Sequence, residues 1–320
     1  MILILTDAND SHGKYVIQKL IDQDINFYEF RLDVDSLKKT IVTYQNFKWS
    51  ILQNNNLLEI EKVSCVWNRR TFVELLLDEE YNQTNDFKIW KNEWNKTLLG
   101  MYSSLRDKPW LNPWREAYKA ENKYLQMEIA VKNHLKIPAT IVSNQKNNLE
   151  NFCDSNNETA LKLMHQDFYR TNDGKYTGFY VNKVSKNDLA NFGDSNENPI
   201  VLQEYIEKAF EVRYTVVGDK HFACKIDSQK SSLAKTDWRR YDIPNTPHEI
   251  IDAPEKIKES INNLMRDLEI YYGALDFIVD IDGNWVFLEV NSMGQFLWIE
   301  DLTGLNISQE IINWLKKYIN

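Results

Sequence analysis

Residues Ala274 to Gly294 read ALDFIVDIDGNWVFLEVNSMG. Asp282-Gly283 lies between two apolar, β-branched runs, the strongest short-range signal of a β-hairpin. With Asp282 and Gly283 as the two loop residues of a type I′ turn, Ile281 faces Asn284, and counting outward sets Asp276 opposite Glu289. Glu289 and Asn291 are two apart on one strand, so their side chains leave the same face. Two carboxylates and an amide oxygen thereby gather on one patch, with paired Cβ atoms roughly 5 Å apart. Carboxylates that close repel each other, and an all-oxygen set suits Mg²⁺, a hard cation that keeps some waters and binds phosphate oxygens. The other face, Leu275, Phe277, Val279, Val286, Leu288 and Val290, is apolar and must pack on a core. Acidic residues also occur at strand ends without binding anything, so the stretch by itself leaves both readings open.

The chain of 320 residues is long enough for two or three lobes with a sizeable buried core. Its net charge is −9, with acids and bases interspersed. A broad basic face for nucleic acid is therefore not expected, and a polyphosphate ligand would need a few lysines and arginines converging locally. Cys65, Cys153 and Cys224 lie far apart, with no CxxC or Cys/His metal spacing, and read as reduced, buried small hydrophobes. The opening MILILT is too short for a signal peptide and lacks its basic start. No apolar run approaches the ~20 residues that span a bilayer. The expectation is a soluble, cytoplasmic protein with neither a nucleic-acid nor a membrane partner.

Met1 to Leu5 reads as a short buried strand. Val16, Ile17, Leu20 and Ile21 then recur at helical spacing, and strands follow at Asn26 to Leu32 and Cys65 to Trp67. Strand, helix, strand in this rhythm implies a parallel α/β unit. The Asn9 to Gly13 turn is not GxGxxG, so a dinucleotide fingerprint is absent. Asp86 to Leu105 is a long aromatic-rich helix, and Pro109 and Pro113 mark a lobe boundary. Beyond it the pattern predicts a helix over Glu116 to Leu135 and strands at Ala139 to Val142 and Thr159 to Met164. A turn follows around Gly174 and a helix over Asn182 to Phe192. Strands are expected at Val201 to Tyr205, Val212 to Val217 and His221 to Asp227. A polar loop over Ser228 to Tyr241 and a helix over Glu255 to Ile270 lead into the hairpin, and a helix over Ser308 to Ile319 closes the chain.

Several residues upstream fit the hairpin chemistry. Lys162 sits inside an apolar strand, where an ammonium is costly unless it meets an anion; an edge-strand lysine kept for solubility is the alternative. The Gly174 loop with Lys175 could close over phosphates through backbone N–H groups, although a plain β-turn explains it equally. Val201 to Ile206 is an apolar strand ending in polar residues, suited to edge recognition of a planar heterocycle. Glu211 and Arg213 share one face, and Asp237-Trp238-Arg239-Arg240 supplies further cations.

The series Lys123, Lys162, glycine loop, Gln203-Glu204-Tyr205-Ile206, Glu211-x-Arg213, Asp237-Trp238-Arg239, then Asp276 with Glu289-x-Asn291 resembles the ATP-grasp superfamily in its ribosomal-protein glutamate-ligase branch, over Asn122 to Leu297. Trp67-Asn68-Arg69-Arg70, Asn112-Pro113, Ile137-Pro138-Ala139-Thr140 and Ala223 to Asp227 narrow the resemblance to microviridin-type graspetide macrocyclases. The resemblance implies an α/β fold of α+β lobes. These would be a parallel pre-ATP-grasp domain over 1–110, a central ATP-grasp lobe over 111–200 and a C-terminal lobe with the metal hairpin over 201–320. It also implies ATP and Mg²⁺, the latter as two ions, as cofactors. Lys123 and Lys162 would contact phosphates, Gln203, Glu204 and Tyr205 the adenine, and Glu211 the ribose. Arg239 would approach the γ-phosphate, with Arg213 and Arg239 as catalytic cations. Asp276, Glu289 and Asn291 would hold the metal. Glu211 stands where related ligases often carry Asp, and the Gly174 loop has fewer glycines than most.

The activity so implied is an ATP-dependent carboxylate ligase. It would phosphorylate Asp or Glu side chains of a precursor peptide with a leader segment and let Ser/Thr hydroxyls or Lys amines attack, closing rings. Ligation of free amino acids or a protein C-terminus is the alternative within the chemistry, and a non-catalytic ATP-binding regulator the alternative outside it. A homodimer is left open. Arg69 and Arg70 leave the C-terminal end of their strand, the end that faces a ligand crevice in parallel sheets. Their planar forks suit a substrate carboxylate; pairing with a local acid such as Glu74 or Asp78 is the competing reading.

Overall fold

The computed structural model describes residues 1–319 apart from 165–167, 179–180, 192–194, 233–234 and 237–242. All five residues of the strand Ile2–Thr6 are buried. The strand lies inside a parallel sheet in the order Phe27–Arg31, Ile2–Thr6, Cys65–Asn68, Trp110–Leu111. Ile2 and Ile4 pack with Val16 and Leu20 of the helix Ser11–Asp22 and with the C-terminal helix Ile307–Lys316. Leu3 and Leu5 meet Phe30, Leu98 and Tyr102 on the other side. A strand covered on both faces reads as a continuous apolar run, which is why this element is visible in the sequence. A three-stranded antiparallel sheet, Ile41–Gln45, Lys48–Gln53 and Asn56–Glu59, was not expected. Its turns use Asn46-Phe47 and Asn54-Asn55, all at φ between 53° and 63°. That is the backbone of a type I′ turn, built here without the glycine that usually signals it.

A second sheet runs Asn182–Val184, Thr159–Lys162, Ser195–Glu204, Thr140–Gln145, antiparallel throughout. The helix expected over Asn182 to Phe192 is instead the strand Asn182–Val184 followed by the 3₁₀ turn Lys186–Asn191. Pairing with Thr159–Lys162 satisfies that strand's edge, a tertiary demand that overrides the local helical spacing.

The third sheet is ordered His248–Ile251, Lys220–Ile226, Lys208–Val217, Tyr272–Asp280, Trp285–Asn291. One face packs on the helix Glu255–Asp267 through Ile261, Leu264 and Met265. Its last two strands are the hairpin, and the loop is not the two-residue turn read from the sequence. Asp280 N donates to Asn284 O and Gly283 N to Asp280 O, each at 3.0 Å, so Ile281, Asp282 and Gly283 form a three-residue loop with Gly283 at φ 84°. Asp280 Oδ1 accepts from the amides of Asp282 and Asn284, which favours the longer turn.

The longer loop displaces the pairing by one: Val279 faces Trp285 and Phe277 faces Phe287. A bulge then inserts Leu288, and Asp276 returns to its place opposite Glu289. The two departures cancel at the carboxylates but not between them. Trp285 and Phe287 occupy the core positions expected of Val286 and Leu288, and Leu288 faces the cleft described below. Phe287→Ala is therefore expected to cost about 3–5 kcal/mol, the range for a buried aromatic, and Leu288→Ala well under half of that. Denaturant unfolding of the two variants checks it; unbroken alternation would give the opposite order.

Candidate active site

Between the second and third sheets lies a cleft whose lining includes Pro138, Lys162, Glu204, Glu211, Asp276 and Glu289. Gln203, Glu204 and Tyr205 form one wall, at the end of the strand Ser195–Glu204. The Glu204 amide donates to Ala139 O at 2.8 Å and the Tyr205 amide to Glu158 O at 2.9 Å. Both N–H groups are thus spent within the protein, so these two residues can offer a heterocycle only carbonyl oxygens from the backbone. Lys183 Nζ lies 3.8 Å from the centre of the Tyr205 ring and pairs with Glu158 at 2.7 Å. Gln203 Nε2 donates to Thr140 Oγ1 at 3.0 Å.

The opposite end of the cleft holds the expected carboxylates. Arg213 Nη1 bridges both oxygens of Asp276, at 3.0 and 3.1 Å. Lys123 and Lys162 converge on Glu289 Oε2, at 2.7 and 3.3 Å. Lys162 is buried and ion-paired, so it is not a solubility residue at an edge. Asn291 leaves the same face as Glu289 and donates from Nδ2 to Ala274 O at 3.4 Å. Glu211 pairs with Lys208, a buried cation that alternation along the strand had hidden. The structure thus brings together Lys123, Lys162, Glu211, Arg213, Asp276, Glu289 and Asn291. Arg239, with Asp237, Trp238 and Arg240, lies outside the described residues.

The strand Trp285–Asn291 is held from its outer edge. Gln126 accepts from Val290 N at 2.9 Å and donates to Val290 O at 2.8 Å, using its amide as a substitute for a neighbouring strand. Glu121 accepts from Ser292 N at 2.8 Å, and Phe287 N donates to Lys136 O at 2.8 Å. The sequence offered only one hint of these roles, a glutamine on the buried side of the helix Lys123–Lys132. Asp276, Glu289 and Asn291 supply two carboxylates and an amide, fewer oxygens than a hard cation needs. That fits Mg²⁺, which completes its shell with water and phosphate oxygens. Among the described residues no third His, Cys, Asp or Glu joins them.

Arg69 and Arg70 do not enter this cleft. They line a second one, at the C-terminal end of the parallel sheet, with Asp7, Asp10, His12 and Glu74. Arg69 is buried: its Nε meets Asp10 Oδ2 at 2.9 Å, and its Nη1 donates to the carbonyls of Met293 and Gly294, just beyond the strand Trp285–Asn291. A Cβ on Gly294 would lie 2.4 Å from that of Ala274, so only glycine lets the chain close up here. Arg70 pairs with Asp7 at 3.1 Å and, more loosely, with Glu74 at 3.7 Å, the local-acid arrangement. Burial would push the Asp10 carboxyl up, but the Arg69 charge and hydrogen bond hold it below the usual carboxylate range. His12 Nδ1 accepts from the amides of Phe296 and Leu297, at 3.4 and 3.3 Å.

Residues 1–118 match the MvdD pre-ATP grasp domain and residues 120–315 the RimK-like ATP-grasp domain. No curated protein sequence matches the chain. Among solved structures, a RiPP-associated ATP-grasp ligase of Chryseobacterium gregarium, in complex with ADP and a leader and core peptide, is 29% identical. Its TM-score is 0.87 over 100% of this chain and 97% of its own. The macrocyclase MdnC of Microcystis aeruginosa, bound with precursor peptide MdnA, is 27% identical, with a TM-score of 0.87 over 99% of each chain. The ATP-grasp ligase PsnB, complexed with a minimal-precursor variant, Mg and ADP, is 16% identical. It shares the fold, with a TM-score of 0.78 over 100% of this chain and 98% of its own.

Burial, and after it the Arg69 charge, pushes His12 down to about 4. Asp10 pulls the other way, while Arg70 and Arg213 add to the depression. The unfolded chain therefore takes up a proton that the folded one refuses. The stability this represents is complete above about pH 6.5 and is lost as pH falls towards 4. Melting temperature should fall between pH 6.5 and 5, before most carboxylates titrate, and His12→Gln should flatten that slope.

Proposed function

The chain belongs to the RimK-like ATP-grasp family, and from that premise we propose that it is a ligase that macrocyclises a ribosomal precursor peptide at the expense of ATP. The observation that carries the reading is the cleft itself. One wall offers carbonyls to a base, and the far end gathers Lys123, Lys162 and Arg213 around two facing carboxylates. The peptide-bound ligases of Chryseobacterium and Microcystis, similar over the whole chain, supply the substrate class.

A carboxylate resists attack by nucleophiles because its charge is spread over both oxygens. Transfer of the terminal phosphoryl group from ATP to a peptide Asp or Glu oxygen makes an acyl-phosphate and releases ADP. A Ser/Thr hydroxyl or Lys amine then attacks the carbonyl carbon, loses its proton, and expels phosphate as the ester or amide forms. Lys123 and Lys162 bind and orient the phosphates. Arg213, beside the carboxylates, offsets charge that builds on the transferring group. Asp276, Glu289 and Asn291 would hold Mg²⁺, which neutralises phosphate charge when bound. Glu211 takes the sugar hydroxyls. Of the two arginines at the second cleft, Arg69 is committed to joining the lobes, and Arg70, partly exposed at the mouth, is the one placed to meet a peptide carboxylate.

The test is to incubate the purified protein with ATP, Mg²⁺ and a Thr-, Asp- and Glu-bearing precursor peptide sought in the reading frames beside its gene, and to weigh the product. Each ring removes the mass of one water; addition of an amino acid instead would favour a glutamate-ligase activity, and ATP binding without turnover a regulator. Glu289→Gln and Asn291→Ala should abolish ring formation with the circular dichroism spectrum unchanged. Lys162→Ala should weaken nucleotide binding by about 1.5–3 kcal/mol, the worth of a charged hydrogen bond, with peptide binding unchanged, as calorimetry can show.

A further inference from the structure

Lys208 reaches the nucleotide cleft through a break in strand alternation. Lys208 and Glu211 are three apart, and on an unbroken strand they would point to opposite faces. The register moves by one between Lys208, opposite Asp280, and Phe210, opposite Val279. Ala209 is the extra residue. Phe210 and Val212 stay on the core side, while Lys208 turns to the cleft and joins Glu211 and Thr236 in its lining. Bulges beside functional sites commonly re-aim a side chain in this way.

The lysine side chain is 2% exposed, and its Nζ lies 2.8 Å from Glu211 Oε1 and 3.1 Å from Thr236 O. A cation buried to this degree is costly unless it compensates specific acceptors. Here it fixes one oxygen of a carboxylate that is itself buried in the cleft wall. An ionised carboxylate only accepts hydrogen bonds, so it suits hydroxyl donors, and the hydroxyls a nucleotide offers are those of its sugar.

We propose that Lys208 is a specificity-determining positioning residue: by holding Glu211 and the Thr236 carbonyl together, it aims the Glu211 carboxylate at the vicinal sugar hydroxyls. The inference rests on the nucleotide reading of the cleft. It makes discrimination between ribose and a sugar without hydroxyls a property of the Lys208–Glu211 pair, where a lysine acting on phosphate would bind both sugars alike.

Calorimetry of the full-length protein with Mg²⁺ and either ADP or 2′,3′-dideoxy-ADP tests it. The parent should bind ADP at least about tenfold more tightly, as expected for hydrogen bonds to a charged acceptor. Lys208→Met should bring ADP down to the dideoxy level and leave the dideoxy affinity within about twofold, a split set by the same charged-acceptor energy. Glu211→Gln should do the same, and the double variant should lose nothing more. Lys208→Arg, which keeps the charge, should restore most of the preference. Should Lys208→Met not fold, Lys208→Gln, neutral and polar, carries the same comparison. Equal weakening of both nucleotides, or full discrimination kept without the charge, overturns the inference. A parent that binds ADP but shows no preference overturns it while leaving the nucleotide reading intact; a parent that binds neither overturns both.

Discussion

The outer edge of the strand Trp285–Asn291 is the constraint on which the site depends. An edge strand presents unpaired N–H and C=O groups, and this one also carries Glu289 and Asn291. Its backbone is paired by single side chains and loop carbonyls from the segment before the second sheet: Lys136 O at Phe287, the Gln126 amide at Val290, and Glu121 at Ser292. Asn112 completes the closure. Its Nδ2 donates to Ser292 O and Tyr272 O, and its Oδ1 accepts from the amides of Tyr271 and Tyr272. Four hydrogen bonds from one buried amide thus join both hairpin strands to the end of the parallel sheet. Because successive side chains alternate in direction, fixing the amides of Val290 and Ser292 also fixes the directions of Glu289 and Asn291.

The charges inside the cleft are arranged in the same economical manner. Arg213 faces Asp276, Lys123 and Lys162 share Glu289, and Lys208 faces Glu211. Among the described residues, four cations are thus paired with three carboxylates, in a protein whose net charge is −9. Desolvating so many ions weakens a fold rather than strengthening it. Their retention makes sense as preparation for a ligand that brings negative charge together with its own divalent cation. Such local convergence lets a chain of net charge −9 offer cations to a polyphosphate.

Legibility in the sequence followed the regularity of the backbone. The parallel strands Ile2–Thr6 and Cys65–Asn68 were visible because burial on both faces writes an unbroken apolar run. The pairing of Asp276 with Glu289 was also read correctly, but by cancellation: a loop one residue longer than assumed and the Leu288 bulge displace the ladder in opposite senses. Where only one irregularity acts, parity fails. The bulge at Ala209 carried Lys208 into the cleft unseen, and Phe287 and Leu288 exchanged core and cleft. The partners of Arg69 were out of reach for a different reason. Strand direction showed which end it leaves, but not that Asp10 and two carbonyls from a segment more than two hundred residues away would occupy its guanidinium.

The bulges also bear on why this chemistry sits on strands at all. Regular alternation offers a site every second residue, so cations and carboxylates at odd spacing cannot share a face. Lys208 and Glu211, three apart, share the cleft only because the strand Lys208–Val217 gives up its ladder at one point, as Trp285–Asn291 separately does at Leu288. The lost pairing is confined to Ala209 and Leu288, and the core face is kept by the aromatic and branched residues around them, Phe210, Val212, Trp285 and Phe287. The hydrophobic face therefore tolerates one missing step in each strand, while the polar face gains a lysine beside Glu211 and the apolar Leu288 beside Glu289. A sheet built for stability alone would have no reason to make that exchange; one that must hold a charged ligand against an apolar floor does.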